Sequence, residues 1–158
     1  MIALVIMAIM AGVSAVVFIG TSSSESLVIS DATMLQSTLQ GARSSARQDG
    51  VAWRVLIEGT PVVAQVYQAD TTGDTWVLDE LVTLNSLVAM QSNALSDNQV
   101  VFDTTGAPYE DPRSDPPSTA LTSPLPVSNS IVLTHAQNAS LRREIVIYPQ
   151  IGFIELIP

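Results

Sequence analysis

No charged side chain occurs before Glu25. Within residues 1–20, Ser14 is the one polar side chain; the others are Met, Ile, Val, Leu, Phe, Ala and Gly. A helix of about 20 residues is about 30 Å long, the thickness of a bilayer's hydrocarbon core. The segment is therefore long enough to span a membrane. A cleaved secretory signal places basic residues before a shorter apolar stretch, whereas the first basic residue here is Arg43. We read the opening as a membrane helix, ahead of a buried soluble helix or a signal peptide. Small residues Ala3, Ala8, Ala11, Gly12, Ser14 and Ala15 are interleaved with the larger apolar ones. Small residues on an apolar helix let other helices approach closely. Two uses stay open: a plain anchor, or a helix that leaves lipid and packs against copies of itself.

Thr21-Ser22-Ser23-Ser24 forms a polar break with capping character. Beyond it, Val28, Ala32, Leu35, Leu39, Ala42 and Ala46 recur at helical spacing, on a single stripe. The opposite face carries Ser30, Gln36, Ser37, Arg43, Ser44, Arg47 and Gln48. Asp49-Gly50 reads as the helix stop, with glycine in the left-handed position past the last turn. Residues 1–49 would then make a rod of about 70 Å. Residues 1–24 are its membrane or filament-core half and 25–50 its amphipathic half. The stripe from Val28 to Ala46 is the surface that packs on a head.

From Val51 the period changes. VAWRVLIE (51–58), VVAQVYQA (62–69) and TWVLDEL (75–81) are rich in β-branched and aromatic residues and separated by turn signals, predicting an antiparallel meander. Residues 81–90 are ambiguous between strand and short helix. Further strands are predicted at 99–103, 130–134, 141–148 and 151–157, the last pair turning at Pro149-Gln150. Residues 107–126 hold six of the nine prolines and read as a loop or flap. A long helix followed by an antiparallel sheet is an α+β arrangement, with 51–158 as a β-rich head.

Composition narrows the chemistry. Fifteen acidic residues against six basic ones, all Arg, give a net charge of −9. Such a surface repels phosphate backbones, so no nucleic-acid partner is expected. Without cysteine there is no disulfide framework and no thiolate nucleophile. His135, Ser130 and Asp103 could be drawn as a triad, but no spacing supports it. Asp103-Thr104-Thr105-Gly106 reads as a turn. Glu110, Asp111 and Asp115 are hard oxygen ligands compatible with calcium; without an EF-hand spacing, a solvated acidic loop is the preferred reading. Trp53 and Trp76 read as core. No catalytic residue and no other cofactor is assigned.

Several stretches together resemble the type IV pilin superfamily, in particular its GspH/FimT branch of minor pilins and pseudopilins. They are the apolar run Met1–Ala15, Ala42-Arg43-Ser44-Ser45-Ala46-Arg47, Phe102-Asp103-Thr104-Thr105-Gly106, and the closing hairpin Arg143–Gly152. Members of that superfamily start with a basic leader, a glycine at the cleavage site and a glutamate at the fifth mature position. Here position 5 is Val5. Sliding Met1 to about the sixth or seventh mature position aligns best, so the sequence is expected to begin a few residues late; a subunit lacking that glutamate is the other reading. The resemblance implies no enzyme. It implies a subunit of a type II secretion pseudopilus, held in the inner membrane with a periplasmic head. Its partners would be other pilin or pseudopilin subunits, a prepilin peptidase and an assembly platform. The alternatives are a type IV pilus or related surface filament, or a single-pass anchored binding domain.

Overall fold

The computed structural model of the chain describes residues 2–110, 117, 121–125, 129–150 and 152–158; for residues 2–22, 92 and 96 it describes the backbone alone. Helix α1 runs from Ile2 to Asp49, 48 residues, and Thr21–Ser24 does not interrupt it. Serine and threonine inside a helix cost only a few tenths of a kcal/mol each, too little to stop one where no Pro interrupts it. Further along, the hydroxyls of Thr33, Ser37 and Thr38 bond back to the carbonyls of Ile29 and Met34. The helix ends where the sequence places its stop: Gly50 takes φ +69° and donates its N–H to the Ala46 carbonyl at 3.2 Å.

Nine strands follow among the described residues: β1 Trp53–Glu58, β2 Val63–Ala69, β3 Trp76–Thr83, β4 Val88–Asn93, β5 Gln99–Phe102, β6 Pro108–Tyr109, β7 Asn129–His135, β8 Asn138–Ile147 and β9 Ile154–Ile157. They form two antiparallel sheets, in the orders β3-β2-β1-β5-β6 and β4-β7-β8-β9. The first three strands are the expected meander. The ambiguous stretch 81–90 resolves into the end of β3, a connection held by Leu84 and Asn85, and the start of β4. The closing strand begins at Ile154, because Tyr148 and Phe153 close the turn with a 2.8 Å backbone bond.

The described parts of the proline-rich loop pair with the sheet. Pro108–Tyr109 pairs with β5, Tyr109 bridges to Pro124, and Leu125 is buried in the core. Proline tolerates such an edge position, where no ladder donor is required of it.

The apolar stripe of α1 lies between the sheets. Leu35, Leu39, Ala32 and Ala46 have no exposed surface, and Val28 and Ala42 almost none. They pack in one core with Val55, Ile57, Phe102, Ile131, Leu133, Ile145 and Ile154. Burying one leucine fully contributes roughly 1.5–3 kcal/mol, so this stripe fixes the head to the helix. On the other face of β1, Arg54 and Leu56 sit opposite Val101 and Gln99, and all four are buried. The Arg54 guanidinium carbon lies 4.6 Å from both the Tyr67 and Trp76 ring centres, a stacking that makes burial of the cation tolerable. Trp53 is core. Trp76 is not: it is half-buried on edge strand β3, serving as a lid on Arg54.

Candidate functional site

Six positions of the apolar opening are candidates for helix–helix packing. Ala3, Ala8, Ala11, Gly12, Ser14 and Ala15 all lie on the backbone of α1, and their side chains are outside the described residues. At 3.6 residues per turn, positions 8, 11, 12 and 15 share one face. Among the described residues no helix is long and apolar enough to cross a membrane.

The half of α1 inside the head is fastened by more than its apolar stripe. At its start, Arg143 on β8 donates to Glu25 at 3.0 Å. One turn and a half later, the buried carboxylate of Asp31 accepts the backbone N–H of Asn85 at 2.7 Å, holding the β3–β4 connection against the helix. Next, the side-chain amides of Gln36 and Gln40 both donate to the carbonyl of Ile154, at 3.1 and 3.2 Å. Those bonds satisfy an edge carbonyl of β9 that would otherwise face water unpaired.

Near the end of the helix, segments distant in sequence converge. The Asp103 carboxylate caps its own turn, accepting the N–H groups of Thr105 and Ala107 at 2.8 Å each. That turn sets Gly106 at φ +79° against the Arg47 and Arg43 side chains, and Arg43 Nε donates to the Gly106 carbonyl at 3.3 Å. Gly152, at φ +61° in the β8–β9 turn, also lies against Arg43. Arginine stems thus cover two glycine turns. Gln36, Arg43 and Arg47 belong to the polar face opposite the apolar stripe; the structure puts them in contact with the head. A period of 3.6 identifies which residues share a face, but not that two turns close over the edge of it.

No reactive constellation emerges among the described residues. His135 is buried, and its Nδ1 accepts the Gln137 N–H at 3.2 Å, so it shapes the β7–β8 turn. Asp103 is occupied by its turn, and Ser130 stands on β7. Glu110 donates its backbone N–H to Ser123, while Asp111 and Asp115 lie outside the described residues. No group of three His, Cys, Asp or Glu able to hold a metal occurs among the described residues.

No family model and no curated protein sequence matches the chain. Solved structures do. The minor pseudopilin EpsH from the Type 2 Secretion System of Vibrio cholerae superposes with a TM-score of 0.61 at 11% identity, covering 83% of this chain and 96% of that one. The type IV minor pilin FimU of Pseudomonas aeruginosa gives 0.58 at 17% identity, covering 83% and 88%. The fold is therefore type IV pilin-like: one N-terminal helix packed on antiparallel sheets.

Proposed function

We propose that the chain is a minor subunit of a type II secretion pseudopilus of the GspH kind, polymerising through the N-terminal half of α1 to support protein export. One observation carries the reading. The helix is continuous over 48 residues, its core-packed stripe among the described side chains runs from Val28 to Ala46, and the part before Glu25 bears no charge. A helix that long, with an uncharged first half, is suited to burial among copies of itself or in lipid. Ala3, Ala8, Ala11, Gly12, Ser14 and Ala15 are the positions at which neighbouring helices would approach. Before assembly the helix would sit as a single pass in the inner membrane with the head in the periplasm, reached there by a prepilin peptidase and an assembly platform. The role is mechanical, with no reaction catalysed.

A second reading, a subunit of a type IV pilus, is favoured by the likeness to FimU, whose identity to this chain exceeds that of EpsH. Deleting the gene separates the two. Loss of protein export with surface fibres intact supports the secretion reading; loss of fibres with export intact supports the pilus; neither phenotype, with the protein absent from sheared filaments, removes both.

A further inference from the structure

Strand β3 is the outermost of its sheet, and among the described residues no strand pairs with its far edge. An edge strand turns a row of backbone N–H and C=O groups outward, a template for another strand. This one runs for eight residues without a proline or a basic side chain, and Val77, Leu78 and Leu81 on it are about half exposed. Its pairing with β2 is bulged: Val66 and Tyr67 oppose Glu80 and Leu78, which leaves Asp79 as the extra residue. A bulge re-aims side chains, and here Asp79 and Glu80, neighbours in sequence, both line the side toward α1. Leu78 and Leu81 stand opposite Tyr67 and Gln65, which in turn oppose Arg54 and Leu56 of β1. The two leucines therefore share the other face. The strand presents carboxylates on one side of its edge and leucines on the other.

The charges decide what can pair there. Antiparallel pairing with β3 of a second copy, centred on Asp79 and Glu80, would set carboxylates against carboxylates. Parallel pairing in register would place like on like again. Like charges directly opposite destabilise a sheet, so this edge is closed to its own kind. A strand with basic residues toward α1 and apolar residues on the other face complements both sides. In such strand addition the backbone supplies affinity and the alternate side chains select the partner. We propose that β3 receives an extended segment of a different subunit, in which apolar residues alternate with Lys or Arg. This inference rests on the filament reading, in which a minor subunit meets neighbours unlike itself, and adds the contact by which the head recognises one of them.

The test uses the full chain in its native envelope with its companion subunits. Photoreactive benzoylphenylalanine replaces Leu78 in one strain and Leu81 in another, and cross-linked peptides from sheared filaments are identified by mass spectrometry. The expected result is that both positions join one companion subunit, within a single run no longer than β3 that alternates apolar residues with Lys or Arg. Asp79→Lys with Glu80→Lys should lower both yields about tenfold, the scale of opposed like charges at an interface. Asp79→Asn with Glu80→Gln, which adds no charge, should lower them about threefold. Both side chains are exposed, so thermal unfolding of the head should be unchanged in each variant. A cross-link to a second copy of this chain, to scattered segments, or to a segment without basic residues overturns the proposal. So does a chain present in filaments with no cross-link, or with yields that neither pair of substitutions lowers; these results leave the filament reading intact. Absence of the unsubstituted chain from the filaments overturns both.

Discussion

Gly106 lies against Arg47 so closely that a Cβ on the glycine would stand 2.7 Å from the arginine Cδ. At Gly152 the neighbour is backbone: a Cβ there would come 2.5 Å from the Gly106 carbonyl oxygen. The two turns and the end of α1 therefore hold one another in place. Both glycines also have positive φ, a conformation that side-chain-bearing residues adopt only at a cost.

Gly106→Ala should destabilise the head by about 1–3 kcal/mol, and Gly152→Ala by more. The Arg47 stem is flexible and can move aside, whereas the Gly106 carbonyl cannot without unmaking its turn. Adding Arg47→Ala to Gly106→Ala should recover the steric part of the loss and leave the backbone part. Urea unfolding of the four proteins measures this; equal losses at the two glycines would refute the ranking.

Truncating the helix stripe should cost far more than truncating its flanks. Leu39→Ala removes a fully buried side chain and should cost about 2–5 kcal/mol. Ser44→Ala, on an exposed position of the same helix, should change stability by less than about 0.5 kcal/mol. Chemical denaturation of the two variants compares them directly.

Gly41→Ala should raise the stability of the protein by about 0.5–1 kcal/mol, because the substitution meets open space and reduces the freedom of the unfolded chain. Calorimetry reads the shift. A loss of stability would mean that the glycine is required inside the protomer after all.

The Tyr148 hydroxyl donates to the Glu155 carboxylate at 2.8 Å, and that bond, with the carboxylate's charge, pushes the phenol above its ordinary value. A pKa raised in the folded state stabilises the fold below the unfolded value of about 10, and the contribution is lost as pH rises through the folded value. Glu155→Gln should move the Tyr148 titration down toward the ordinary range, as followed by NMR of ring-labelled tyrosine. An unmoved titration would exclude Glu155 as the cause.

The helix and its buried stripe were legible because a period of 3.6 is written into Val28, Ala32, Leu35 and Leu39 themselves. The meander was legible for the same kind of reason: β-branched runs punctuated by Gly-Thr-Pro and Thr-Gly-Asp. Legibility stopped where residues far apart in the chain meet. Asp31 looks like any polar helix residue until Asn85 is placed beside it, and Gln36 and Gln40 look solvated until Ile154 arrives. Trp76 reads as core from its strand-like neighbours, but periodicity does not distinguish an edge strand from a central one, and Arg54 supplies its packing. Pro108–Tyr109 forms a strand inside a proline-rich run because β5 offers it an edge. The convergence of Arg43, Gly106 and Gly152 was foreshadowed only as three separate stretches of resemblance.

The central claim is that the helix before Glu25 joins copies of the subunit together. The most direct measurement compares the full chain with its Gly12→Arg variant in sheared, pelleted filaments detected by antibody, alongside thermal unfolding of the head in both. Arginine at a helix–helix contact within an apolar bundle is costly. The account predicts wild-type protein in the pellet, the variant absent from it, and the same head stability in each. Equal recovery of both proteins in the filaments would contradict it.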